Sequence, residues 1–180
     1  MKRALIIIDI QNDYFPGGRM PLAGPVAAAE RAARALQWQR ERGLPVFHVQ
    51  HVSTRPGATF FLPDTDGVQI HESVAPRAGE ALTVKHFPNA FRATTLAEQL
   101  RAAGVDELLF AGMMTHMCID TSVRAAADLG FRCSVAADAC ATRDLQWDGQ
   151  TVPAAQVHAA FLAALNGAFA RVATVDQLRA

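Results

Sequence analysis

The run Ala4-Leu5-Ile6-Ile7-Ile8-Asp9-Ile10 constrains the fold of this chain more than any other stretch. It is apolar at consecutive positions, not at alternate ones, and it is rich in β-branched residues. Successive side chains of a strand point to opposite faces, so a strand built this way must be covered on both sides. Strands of that kind belong to parallel sheets with helices packed above and below. A solvated antiparallel sheet, which keeps one polar face, does not suit it. The single charge, Asp9, leaves the same apolar run and needs a partner wherever it is desolvated.

The rest of the chain continues the pattern. Gln11 to Gly18 breaks the first strand with turn chemistry. Pro25 to Arg42 has a helical pattern rich in Ala and Arg, and Gly43 follows as a stop. Pro45 to Val52 reads as a second strand. Ser53 to Pro76 is long, rich in Pro and Gly, and carries Phe60-Phe61-Leu62. Loops of that length in compact domains serve as lids or as interface elements. Ala81 to Val84 is a third strand ending in Lys85, and Thr94 to Ala103 is a helix with Thr94 as N-cap. Glu107 to Ala111 is a fourth strand, Cys118 to Leu129 a helix, and Phe131 to Ala137 a fifth strand. Pro153 to Gly167 is a helix opened by proline, and Val172 to Thr174 is a last short strand. Strands alternating with helices predict an α/β fold with a mostly parallel six-stranded sheet. The length suits a single domain over residues 1–180, with no internal repeat or linker.

Composition narrows the function classes. The chain is 51% hydrophobic and 19% charged, enough to build a full core and too apolar for disorder. Seventeen basic residues balance seventeen acidic ones, and no basic stripe appears, so nucleic acid is not an expected partner. The apolar run after Met1-Lys2-Arg3 is too short to span a bilayer, and no small-residue cleavage site follows it. Three cysteines with no CxxC fit a reducing compartment. A cytoplasmic protein that contacts no membrane is expected.

In open α/β sheets the site lies at the carboxyl ends of the strands, where the strand order reverses. That rule selects Asp9 at the end of the first strand, Lys85 at the end of the third, and Cys118 just past the fourth. A cysteine at a strand-to-helix turn sits among unpaired N–H groups in the positive field of the helix, which lowers a thiol pKa and leaves donors for an oxyanion. Its other reading is a small apolar residue plugging the core. Asp9, desolvated by its strand, suits a general base, and Lys85 would offset the cost of gathering two anions. The alternative for Lys85 is a surface lysine at a strand end, the commoner fate of lysine, and for Asp9 a helix cap or turn former.

Leu5-Ile6-Ile7-Ile8-Asp9-Ile10-Gln11-Asn12-Asp13-Tyr14-Phe15 resembles the opening motif of the isochorismatase-like cysteine hydrolases. Lys85 with Pro88-Asn89-Ala90-Phe91 resembles their second motif. Gly112-Met113-Met114-Thr115-His116-Met117-Cys118-Ile119-Asp120-Thr121, with Arg124-Ala125-Ala126 and Gly130, resembles their nucleophile motif. The resemblance implies a three-layer α/β/α Rossmann-like fold and hydrolysis of an amide C–N bond in a small molecule through a thioester. It implies that Cys118 is the nucleophile, Asp9 the acid/base and Lys85 the charge-balancing member. It also implies a cis peptide at Met113–Met114 and an oxyanion hole formed by the N–H groups of Met114 and Cys118. Family members are usually dimers or tetramers, so a homodimer or homotetramer is expected.

Beyond the triad, Gln11, Phe15, His51, Phe61, Phe87, Phe91 and His116 are the candidate substrate contacts. Phe60 extends the aromatic wall, and Trp147 is read as a closure from the C-terminal side. For the aromatics the alternative is core or subunit packing; for the histidines, it is an ordinary hydrogen-bonded role. The nicotinamidase branch of the family binds a metal through an Asp-x-His element. Here that region reads His48-Val49-Gln50-His51, without the aspartate and with the two histidines on opposite faces of a strand. Neither metal nor cofactor is expected. Few arginines lie near the motifs, which gives no reason to expect a strongly anionic substrate. Three other readings stay open: vinyl-ether hydrolysis of the isochorismatase type, a catalytically silent binding protein on the same fold, and thiol-based redox sensing with Cys140 as resolving partner.

Overall fold

The computed structural model describes residues 2–179. Its centre is a six-stranded, all-parallel sheet in the order β3-β2-β1-β4-β5-β8. The strands are β1 (Arg3–Ile8), β2 (Val46–His51), β3 (Ala81–Lys85), β4 (Glu107–Met113), β5 (Arg132–Ala141) and β8 (Arg171–Ala173). From β1 the chain builds outward to β2 and β3, then returns to the other side of β1 for β4, β5 and β8. The order therefore reverses between β1 and β4.

Alternate residues of β1 enter two different cores. Leu5 and Ile7 pack with Ala28, Ala32 and Leu36 of α1 (Pro25–Glu41) and with α5 (Val175–Leu178). Ile6 and Ile8 pack with α2 (Leu96–Ala102), α3 (Asp120–Asp128) and α4 (Ala154–Leu165). The consecutive apolar run is thus explained by helices on both faces. Helix α1 starts with Pro25 at its first turn, where a missing N–H costs nothing. Its sheet-facing side is mostly alanine, which lets the helix axis approach β1 and β5 closely.

Several boundaries differ from the sequence expectations. Strand β5 runs on to Ala141 after an irregularity: Phe110 pairs with Val135, yet Gly112 pairs with Cys140. A two-stranded hairpin, β6 (Leu145–Trp147) and β7 (Gln150–Val152), stands apart from the main sheet around the Asp148-Gly149 turn. It buries too little to show in the hydrophobic pattern. Thr95 occupies the cap position of α2 without a side-chain bond, while Thr94 Oγ1 accepts the Leu96 N–H at 3.4 Å and donates to the Ala90 carbonyl at 2.6 Å. Pro153 caps α4 from outside. Among the described residues no helix is long and apolar enough to cross a membrane.

Candidate active site

The reversal of strand order brings the ends of β1 and β4 side by side, with β2 and β3 beyond β1. Asp9 follows β1 directly, in a left-handed conformation (φ 53°) rare for a residue with a side chain. Its N–H still bonds the Val49 carbonyl at 3.0 Å. Lys85 ends β3, in register with His51 on β2. Cys118 lies in a single π-helical turn, Thr115–Ile119, between β4 and α3. The helix expected from Cys118 onward begins as α3 only at Asp120. The peptide Met113–Met114 is cis.

All three side chains are withdrawn from solvent, Asp9 and Lys85 completely and Cys118 to 4% exposure. Lys85 Nζ lies 2.6 Å from Asp9 Oδ2, 3.3 Å from Cys118 Sγ and 2.9 Å from His51 Nδ1. Burial alone would lower the ammonium's pKa, but the charge of Asp9, aided by Cys118, raises it instead. The same burial, with the Asp9 charge, pushes the Cys118 thiol up; Lys85 opposes this without reversing it. The resting group is therefore a thiol beside an ion pair. The lowered thiol pKa expected from the helix field is not found: burial, with the Asp9 charge, moves it the other way. Among the described residues Asp9 Oδ1 is buried with no partner, so this carboxylate keeps one free acceptor.

Asp9, His51 and Cys118 place their donor atoms within 4.8 Å of one another, a ligand set that in isolation would suit a metal ion. The Lys85 ammonium lies against all three.

Cys118 opens into a cavity of about 550 Å³ walled by Tyr14, Phe60, Phe61, Phe87, Met114 and Met117. His51 stands beside the cysteine, and Arg55 and His86 are at the exposed rim. Arg55 was not foreseen; it makes no ion pair among the described residues. The loop Ser53 to Pro76 supplies much of the wall, and Phe61 is buried against Tyr14 and His51 rather than offered to another subunit.

Four expected substrate contacts do not line this cavity. Gln11 is wholly buried, and its carboxamide is spent on the backbone. Its Nε2 donates to the His51 and Val68 carbonyls at 2.9 and 2.7 Å, and its Oε1 accepts the His51 N–H at 2.8 Å. Phe15 stacks on His71 with ring centres 3.7 Å apart. Phe91 packs into the core beside α2 and α3. His116 pairs with Thr142 Oγ1 at 2.5 Å and meets the edge of Phe161. Trp147 sits 80% exposed on the hairpin and closes nothing. Sequence reading also missed two residues of the opening motif. Tyr14 forms part of the wall, and Asp13 braces it, accepting the Phe61 N–H at 2.6 Å and the Arg19 N–H at 3.1 Å. A carboxylate so close to an apolar strand was the available signal for Asp13.

The Isochorismatase domain model matches residues 3–177 of the chain. The chain belongs to the isochorismatase family. An isochorismatase family protein of Bacillus subtilis, YddQ, is 53% identical over 98% of both chains. The crystal structure of an isochorismatase-type hydrolase from Oleispira antarctica is 54% identical and superposes with a TM-score of 0.96, covering 99% of this chain and 96% of that one. The maleamate amidohydrolase of Pseudomonas putida is 35% identical over 145 residues, covering 73% of this chain and 68% of its own. The family's members are hydrolases, and the chain's relatives include amidases such as the maleamate amidohydrolase. The six-stranded α/β sheet is the fold of the solved isochorismatase-type structures.

Proposed function

We propose that this protein hydrolyses the C–N bond of a small-molecule amide, with Cys118 as nucleophile. The observation that carries the reading is the buried Lys85 ammonium, held 2.6 Å from Asp9 and 3.3 Å from a cysteine that opens into the largely apolar cavity. The amidohydrolase relative supports the bond type. Asp9 Oδ1, the unpaired oxygen, accepts the thiol proton as Sγ attacks the carbonyl carbon. The N–H groups of Met114 and Cys118 hold the resulting oxyanion, each worth about 3–4 kcal/mol in comparable sites. The C–N bond then breaks, Asp9 returns the proton to the leaving nitrogen, and a thioester remains. Water attacks that thioester, giving its proton to Asp9; the acid departs and the thiol is restored. Throughout, Lys85 keeps the gathered negative charge near neutral. Tyr14, Phe60, Phe61 and Phe87 pack against the substrate.

An amide panel scored for ammonia release tests this directly. At least one small primary amide should be turned over, and Cys118→Ser should lower that turnover by about 10³-fold or more. Undiminished turnover in the serine variant would remove Cys118 from the nucleophile's role.

A further inference from the structure

The three protons of Lys85 determine more than the charge balance of the triad. An ammonium is a donor only, so each of its neighbours must accept. Asp9 Oδ2 and Cys118 Sγ take two protons, and His51 Nδ1, 2.9 Å away, takes the third. An imidazole nitrogen that accepts carries no hydrogen, so the remaining proton of His51 must sit on Nε2. Among the described residues that nitrogen has no hydrogen-bond partner, and it is not sealed from solvent, since His51 forms part of the cavity wall beside Cys118. Both backbone groups of His51 are clamped by the buried Gln11 carboxamide. Phe61, packed 5.9 Å from the ring centre, limits its rotation.

We propose that Lys85 fixes His51 as a neutral ring whose Nε2–H points into the cavity, making His51 a specificity-determining donor for a hydrogen-bond acceptor next to the scissile amide. The ring resists protonation as well: burial and the nearby Lys85 charge bring its pKa down to about 4. It therefore stays a one-sided donor at neutral pH. A substrate presenting a carbonyl, carboxylate or ring nitrogen there is favoured. One presenting an N–H or ammonium meets a donor and loses. This rests on the active site and amide chemistry proposed above, while the tautomer and binding measurements below need no turnover.

The test uses the full chain with ¹⁵N-labelled histidine. Two-bond ¹H–¹⁵N spectra at pH 7 should show the Nε2–H tautomer for His51, assigned by its loss in His51→Leu. Binding is then measured in Cys118→Ala, where no turnover interferes. The probes are picolinamide, nicotinamide, isonicotinamide and benzamide, which share one shape and differ only in a ring acceptor. At least one pyridine isomer should bind about tenfold tighter than benzamide, the worth of one net hydrogen bond, and should shift the His51 Nε2 resonance. The preference should vanish when His51→Leu is added. An Nδ1–H or imidazolium form would overturn the proposal. So would equal binding of all four probes, or a preference that survives without His51. Ammonia release is read separately on the unmodified protein, so a failure of the amidase reading would not be mistaken for a failure of this one.

Discussion

Asp9 affects Cys118 in two opposite ways, and a single substitution separates them. Its charge holds the thiol proton on, while its free Oδ1 is the place to which that proton must go. Asp9→Asn should therefore lower the Cys118 pKa, read by thiolate absorbance across a pH titration, yet reduce amide turnover by about 10²–10⁴-fold, the usual worth of a general base. If the base reading were wrong, the easier-to-ionise thiol would keep or gain activity. Lys85→Met should move the thiol pKa the other way, since the ammonium is what opposes its rise. Both titrations are read in a Cys133→Ala, Cys140→Ala background, because desolvation pushes those two buried thiols up to about 12, where they would overlap Cys118.

Two junctions between elements control how the strands reach the site. Gly112, in β4, lies against the Ile8 carbonyl of β1 with φ at 147°, where a side chain is strained and a Cβ would collide with that backbone oxygen. Gly112→Ala should cost about 2–4 kcal/mol by urea denaturation, the range of severe single substitutions, and a cost near zero would show that the strands can part there. At the other junction, Glu80 precedes β3 and joins it to α1 and β2. Arg40 donates to both its oxygens at 2.6 and 2.8 Å, and the Arg77 N–H and His48 ring also reach it. Burial alone would raise this carboxyl, but those donors bring it down from 4.5 to about 2. A depressed folded pKa stabilises fully above the unfolded value and is lost as pH falls through the folded one. Glu80→Gln should accordingly cost roughly 1–3 kcal/mol at neutral pH. The gap to the parent should close between pH 4.5 and about 2, as followed by chemical denaturation at each pH.

For the whole molecule, one continuous sheet threads almost the entire chain, so we propose that it unfolds as a unit. The two tryptophans make this measurable: Trp38 is 8% exposed in α1, and Trp147 is 80% exposed on the hairpin. In Trp147→Phe, fluorescence from Trp38 and far-ultraviolet dichroism should give one coincident transition in denaturant, and separated midpoints would argue for independent parts. Self-association is proposed on different residues from those the sequence suggested. Phe61 is used up inside the cavity wall, whereas Leu82 and Val84 lie about half exposed on β3, the edge strand. Sedimentation should return a multiple of 19.3 kDa, and Leu82→Lys with Val84→Lys should reduce it to that mass.

The sequence by itself determined the layered architecture and the chemical types in the site. A run such as Leu5 to Ile8 can only be a strand covered on both faces, and Asp9, Lys85 and Cys118 each stand where a strand ends; those are local facts of pattern and period. The hairpin at Leu145–Val152, the extended β5 and the π turn at Cys118 were not legible, because each departs from strand or helix periodicity by only a few residues. Partnership was decided by tertiary structure alone. Asp9 and Lys85 are 76 residues apart, and strand order and register bring the ammonium across β2 to meet carboxylate, thiol and imidazole together. The same register gave Gln11 to the backbone of His51 and left His116 with Thr142. Hydrogen-bond partners are fixed by distances of about 3 Å, and only the packed sheet defines distances on that scale.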